Sequence, residues 1–226
     1  MERTVQKLHP ALTAGQRLTL TGSSTPAFSF QGSWDGGCAL HAAAMALAML
    51  GLLTRPLYMS QSRNCAEAMF WRRAEPYYLS GISLDELATV IRELNWGLRP
   101  VLFEGAHTQV IQFCEQEILR GWPVIVSWRE LRCSQLHAVL VVGIEGQQSG
   151  RAFTPHTLLA LDSAAAEPTL ATYNARLTYR APDKRTGKGS ARAQYVAAHG
   201  RHTIELAGAL SFRPIATAPT RAKKPP

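Results

Sequence analysis

The chain has 226 residues, 46% of them hydrophobic and 18% charged, with a formal net charge of +8. That length suits one domain or two lobes around a shared cleft, and the apolar share excludes a wholly disordered chain. The charge is local: nine Lys or Arg against two Asp or Glu lie from Asp183 to Pro226, which leaves the remainder near neutral at +1. The basic residues sit in the loop Asp183–Gly189 and in the tail, where solvation accounts for them. No aromatic platform is interleaved with them, so nucleic-acid binding is not expected.

Residues 1–26 read as an irregular lead-in, rich in Pro, Gly, Ser and Thr. The first seven residues lack an apolar core, so no Sec-type export signal is expected, and a soluble chain made in the cytoplasm is. A tight turn follows at Gln31–Gly37, Gln-Gly-Ser-Trp-Asp-Gly-Gly. Cys38 then opens an Ala/Leu/Met helix that ends at Gly51, a residue suited to the C-terminal cap. The apolar run Cys38–Leu53 is 16 residues, short of the ~18–20 needed to span a bilayer, and predicts a buried helix.

A second helix is predicted over 63–73. A third begins at a capping box, Ser83 with Glu86, ahead of LATVIREL. Arg99–Phe103 predicts a short strand, and 108–120 a helix closed by Gly121. From there the pattern changes to β-branched and Leu-rich runs bounded by turn residues: Pro123–Trp128, His137–Glu145 and Thr157–Ser163. Further strands are predicted at 193–197 and 202–206. Helices followed by strands predict an α+β fold, with a helical N-terminal lobe to about Gly121 packed on an antiparallel β lobe and the active site between them. Residues 213–226 predict a basic, disordered tail after a domain of residues 27–212.

Candidate chemistry starts at Cys38. Amides at a helix N-terminus and the helix dipole stabilise a thiolate there, and the thiolate is the nucleophile. Gly36-Gly37 let the backbone turn sharply in front of it. His137, at the head of HAVLVVGIE, is the candidate base, and Asp162, at the end of LLALDS, is the candidate orienter of its ring. Gln31, from the same loop as the cysteine, offers an amide NH2 as an oxyanion donor beside the Cys38 backbone N–H. Taken singly, each has a plain alternative: a small core residue, a polar strand end, a turn aspartate.

The succession of Gln31, Trp34, Gly-Gly-Cys38, SLDELATVIRELNWGL, LRGWPVIVSW, HAVLVVGI and LLALDS resembles a papain-like cysteine peptidase. It is most similar to the bacterial branch that cleaves double-glycine leader peptides, and to its stand-alone relatives. The resemblance covers residues 31–163 and implies Cys38 as nucleophile, His137 as base, Asp162 as orienter and Gln31 as oxyanion donor, with no cofactor. It implies a protein or peptide substrate, cleavage after small residues such as Gly-Gly, and an inhibitor or immunity protein as a partner. No membrane-spanning or ATP-binding region accompanies it, which points to the stand-alone members; these include effector toxins delivered into other cells. Three departures stand out. Ala39 follows the cysteine where that branch has glycine, Gln31 precedes it by seven residues instead of six, and GQQSGRAFTPHT lengthens the segment before Asp162.

Two other readings use the same residues. Deamidation or transglutamination of a protein glutamine begins with the same thiolate attack. A zinc-stabilised binding protein would use Cys38 with His41 and Cys133 with His137, two thiolates and two imidazoles. Cys65, Cys114 and Cys133 read as structural, and Thr186–Ser190 lacks the glycine spacing of a phosphate loop.

Overall fold

The computed structural model describes residues 2–32, 35–58, 65–131, 133–180 and 192–215. Trp34, the basic loop 183–189 with its Thr186–Ser190 segment, and the tail from residue 216 lie outside the described residues.

Among the described residues four α-helices occur, each close to its predicted place: α1 (Cys38–Met49), α2 (Ala66–Ala74), α3 (Leu84–Leu94) and α4 (His107–Leu119). The capping box of α3 is formed in both directions, and Gly51 takes the positive φ of 74° just after α1. Eleven of the twelve α1 residues are buried, so this helix is a core element with no solvent face.

The strands depart further from expectation. They are β1 (Glu2–Leu8), β2 (Leu12–Thr13), β3 (Thr19–Leu20), β4 (Leu98–Glu104), β5 (Val124–Glu130), β6 (Leu136–Ser149), β7 (Ala152–Leu161), β8 (Ala175–Thr178), β9 (Ala193–Ala197) and β10 (Gly200–Pro214). All ladders are antiparallel. The order β6-β5-β10-β9-β8-β7 returns to β6, closing a six-stranded barrel.

The expected α+β architecture, a helical lobe packed on a sheet, is therefore corrected: the molecule is mostly β, built on a closed barrel with few helices. The physical reason lies in strand length. β6 has 14 residues and β10 has 15, so each outruns its barrel neighbours and pairs with one more strand. β1 pairs along the far half of β6, Leu8 opposite Gly143 and Glu2 opposite Ser149. β4 pairs along the far half of β10, Leu98 opposite Pro214. Segments from the N-terminal half are thus stitched into the same sheet as the barrel, and no separate helical lobe exists. The extra GQQSGRAFTPHT residues lengthen the β6–β7 hairpin, which turns at Gly150 with φ 58°. The lead-in, expected to be irregular, supplies β1 to that lengthened edge.

Two apolar clusters flank the barrel wall. Val124, Val126, Val139, Val141, Leu158 and Leu177 share one cluster with Val110, Ile111 and Cys114 of α4. The alternate residues Ile125, Ala138, Leu140 and Val142 join α1 and α3 in the other. Strand period 2 assigns the two faces.

Candidate active site

The nucleophile wall is the loop ahead of α1. Asp35 organises it: Oδ2 accepts from the Gly32 amide at 2.6 Å, Oδ1 accepts from the Gly37 amide at 2.9 Å, and its carbonyl accepts from Gln31 Nε2 at 2.7 Å. Gly36 donates to the Tyr78 carbonyl at 2.9 Å. A Cβ on Gly36 would lie 2.7 Å from the Gly81 nitrogen and 2.9 Å from the Leu79 carbonyl oxygen, so only glycine fits this crossing of two backbones. Cys38 emerges half-buried as the first residue of α1. The first-turn amides there have no intrahelical acceptors and face the thiol region.

The opposite wall comes from the barrel. His137, near the start of β6, is in phase with inward-facing Val139 and Val141; Asp162, just past β7, is in phase with inward-facing Leu158 and Ala160. Both therefore sit at one rim of the barrel. His137 Nε2 lies 2.9 Å from Asp162 Oδ1, and His137 and Cys38 border the same cleft. An ionised carboxylate can only accept, so Nε2 is the donor of that pair. Burial pulls the His137 imidazole towards neutrality, but the bonds and charges of Asp162 and Cys38 outweigh it and push its pKa up to about 10. Imidazolium is the form this site holds at neutral pH.

Asp162 is fully buried, and burial opposes its charge. The His137 bond and charge, with bonds from Tyr195 and the Ala164 amide, hold its carboxyl below the usual carboxylate range nonetheless. Asn174 fixes its backbone from both sides, accepting from Asp162 N at 2.7 Å and donating to Asp162 O at 2.8 Å. Trp128 presents its ring to His137 at 5.2 Å in a T-shaped contact and lies 4.7 Å from the Tyr195 ring.

Cys38 and His137 line two cavities. The larger, of about 680 Å³, is bounded by Gln31, Gly81, Trp128 and Gln135; the smaller, of about 150 Å³, by Ala39, Leu84, Ser127 and Gly208. Cys38 and His137 border both.

All four predicted site residues are brought together. Gln31 lines the larger cavity, its backbone N–H donates to the Ser163 carbonyl at 2.8 Å, and Ser163 Oγ donates to its Oε1 at 3.4 Å. The Gln31 loop and the Asp162 loop are thus joined. His41 is fully buried, with Nδ1 2.8 Å from Ser29 Oγ and Nε2 3.9 Å from Asp35 Oδ1. Desolvation, only partly offset by Asp35, lowers its pKa and keeps the ring neutral. Cys133 is exposed and lines the larger cavity with Cys38 and His137, whereas Cys65 caps α2 by accepting from the Ala68 amide and Cys114 is buried against the barrel. Among the described residues, no group of three or more His, Cys, Asp or Glu is arranged to hold a metal ion.

Sequence reasoning misses three contributors. Asp35 looks like an ordinary turn residue, Asn174 lies in a stretch without periodicity, and Tyr195 is one aromatic in a short alternating strand. None carries a sequence signal of its role, because each acts through the fold. No protein-family model matches the chain, and no curated protein matches it.

Proposed function

We propose that the chain is a cysteine peptidase that hydrolyses peptide bonds through Cys38, His137 and Asp162. The observation that carries this is an imidazole ring hydrogen-bonded to a buried carboxylate and bordering, with the Cys38 thiol, one open cleft. The Cys38 sulfur attacks the carbonyl carbon of the scissile bond. The Cys38 amide and the second N–H of Gln31, whose first is given to Asp35, receive the developing oxyanion. His137 delivers its proton to the leaving amine, and then takes one from the water that hydrolyses the thioester. The motif resemblance to leader peptidases supports small residues before the cut. The same first step serves glutamine deamidation or transglutamination, which differ only in what leaves and what accepts.

The test is alkylation by iodoacetamide, resolved by cysteine with mass spectrometry. Cys38 reacts at least about tenfold faster than exposed Cys133, and His137→Ala removes most of that advantage. Equal rates at the two thiols in the wild type would sink the proposal. Candidate protein substrates then separate the outcomes: chain fragments indicate a peptidase, and intact chains of altered mass indicate deamidation or cross-linking.

A further inference from the structure

Building on that reading of the site, we infer that Tyr195 is a positioning residue that keeps Asp162 ionised and aimed at His137. The Tyr195 hydroxyl donates to Asp162 Oδ2, while Oδ1 receives His137 Nε2 at 2.9 Å and the Ala164 amide at 2.9 Å. Both oxygens of a wholly buried carboxylate are therefore engaged, each by a different part of the chain. Oδ2 has no water to turn to, so the phenol is what satisfies it.

The hydroxyl is also held rigidly. Tyr195 is fully buried on β9, opposite Leu177 of β8 and His202 of β10, and its ring packs against Trp128. A phenol at neutral pH is a donor to a carboxylate, so this bond favours the charged form of Asp162 and opposes its uptake of a proton. It also blocks rotation of the carboxylate about its last torsion, which would otherwise break the line to Nε2. Once Asp162 is protonated it no longer supports an imidazolium at His137. Tyr195 thus sets how far into acid that support survives.

The experiment measures the pH dependence of iodoacetamide labelling at Cys38, which needs no substrate. Tyr195→Phe keeps the ring and its packing on Trp128. Its acid limb moves to higher pH, with labelling roughly tenfold slower on the acid side. 3-Fluorotyrosine placed at position 195 keeps the shape but strengthens the donor, and moves the limb the opposite way; it also serves if the Phe variant does not fold. In an Asp162→Asn background, Tyr195→Phe produces no further movement. A purely structural tyrosine would lower the melting temperature and leave the limb in place. An acid limb unmoved by both changes at 195 overturns the role of Tyr195 alone. A wild type in which Cys38 shows no labelling advantage overturns the reading of the whole site.

Discussion

Residues ahead of α1 show how much one side chain can organise. Asp35 accepts from the Gly32 and Gly37 amides and, through its carbonyl, from the Gln31 side chain, so one residue ties together the two ends of the loop that leads into Cys38. Gly36 is the tightest point of that arrangement. Gly36→Ala places a methyl group within 3 Å of backbone atoms that cannot yield, and we expect it to displace Cys38 and slow its alkylation at least about tenfold while the protein remains folded by circular dichroism. The His137 pair makes a pH-dependent contribution whose sign is fixed. Its pKa of about 10 in the folded chain lies above the ordinary 6.5, so its stabilisation is fully present below about 6.5 and disappears as pH rises through about 10. His137→Ala should therefore cost more stability near pH 6 than near pH 10.5 in parallel denaturant titrations. Cys38, His137 and Asp162 were legible because their sequence neighbours announce a helix start and two strand ends. Asp35, Asn174 and Tyr195 were not, since a turn residue, a loop amide and an inward-facing tyrosine look the same whether or not they serve a site.

At the level of elements, the helices and the places of six strands were readable, whereas how far the strands extend and how they pair were not. Helix signals are local: alanine content for α1, a Ser83–Glu86 box for α3, a glycine stop for α4. Strand extent depends on partners. β6 runs on past its apolar core to Ser149 where β1 extends the ladder, and the polar start of β10 at Gly200–Thr203 pairs with β9; neither end carries a strand pattern of its own. α4 is fixed to β10 by a buried carboxylate: Glu117, 1% exposed, takes Arg213 through both oxygens at 2.7 and 2.8 Å and Ser211 at 2.7 Å. Without Arg213 the buried Glu117 keeps only the half-exposed Arg120 at 3.1 Å and Ser211, so Arg213→Ala should destabilise by about 2–3 kcal/mol in urea unfolding. The labelling rate of Cys38 in the folded fraction should hardly change, as α4 does not line the cleft.

For the whole molecule, closure is the property the sequence conceals. Whether six strands end as an open sheet or a barrel depends on whether β7 pairs back onto β6 while β8, β9, β10 and β5 complete the ring, and no short window of residues encodes that. The helical first half therefore suggested an independent lobe, although β4 lies within it and belongs to the sheet. No helix among the described residues is long and apolar enough to cross a membrane. Barrel strands central to both clusters should open only with global unfolding, so hydrogen exchange at Val139–Val142 and Leu206–Leu210 should be the slowest, with exposed β1 exchanging far earlier.

Cys38 and His137 border both hollows, so a polypeptide substrate would find room beside the pair in either. We therefore expect scission within chains and not nibbling from their ends, so that capping both termini of a susceptible peptide, or joining them into a ring, should leave its turnover intact.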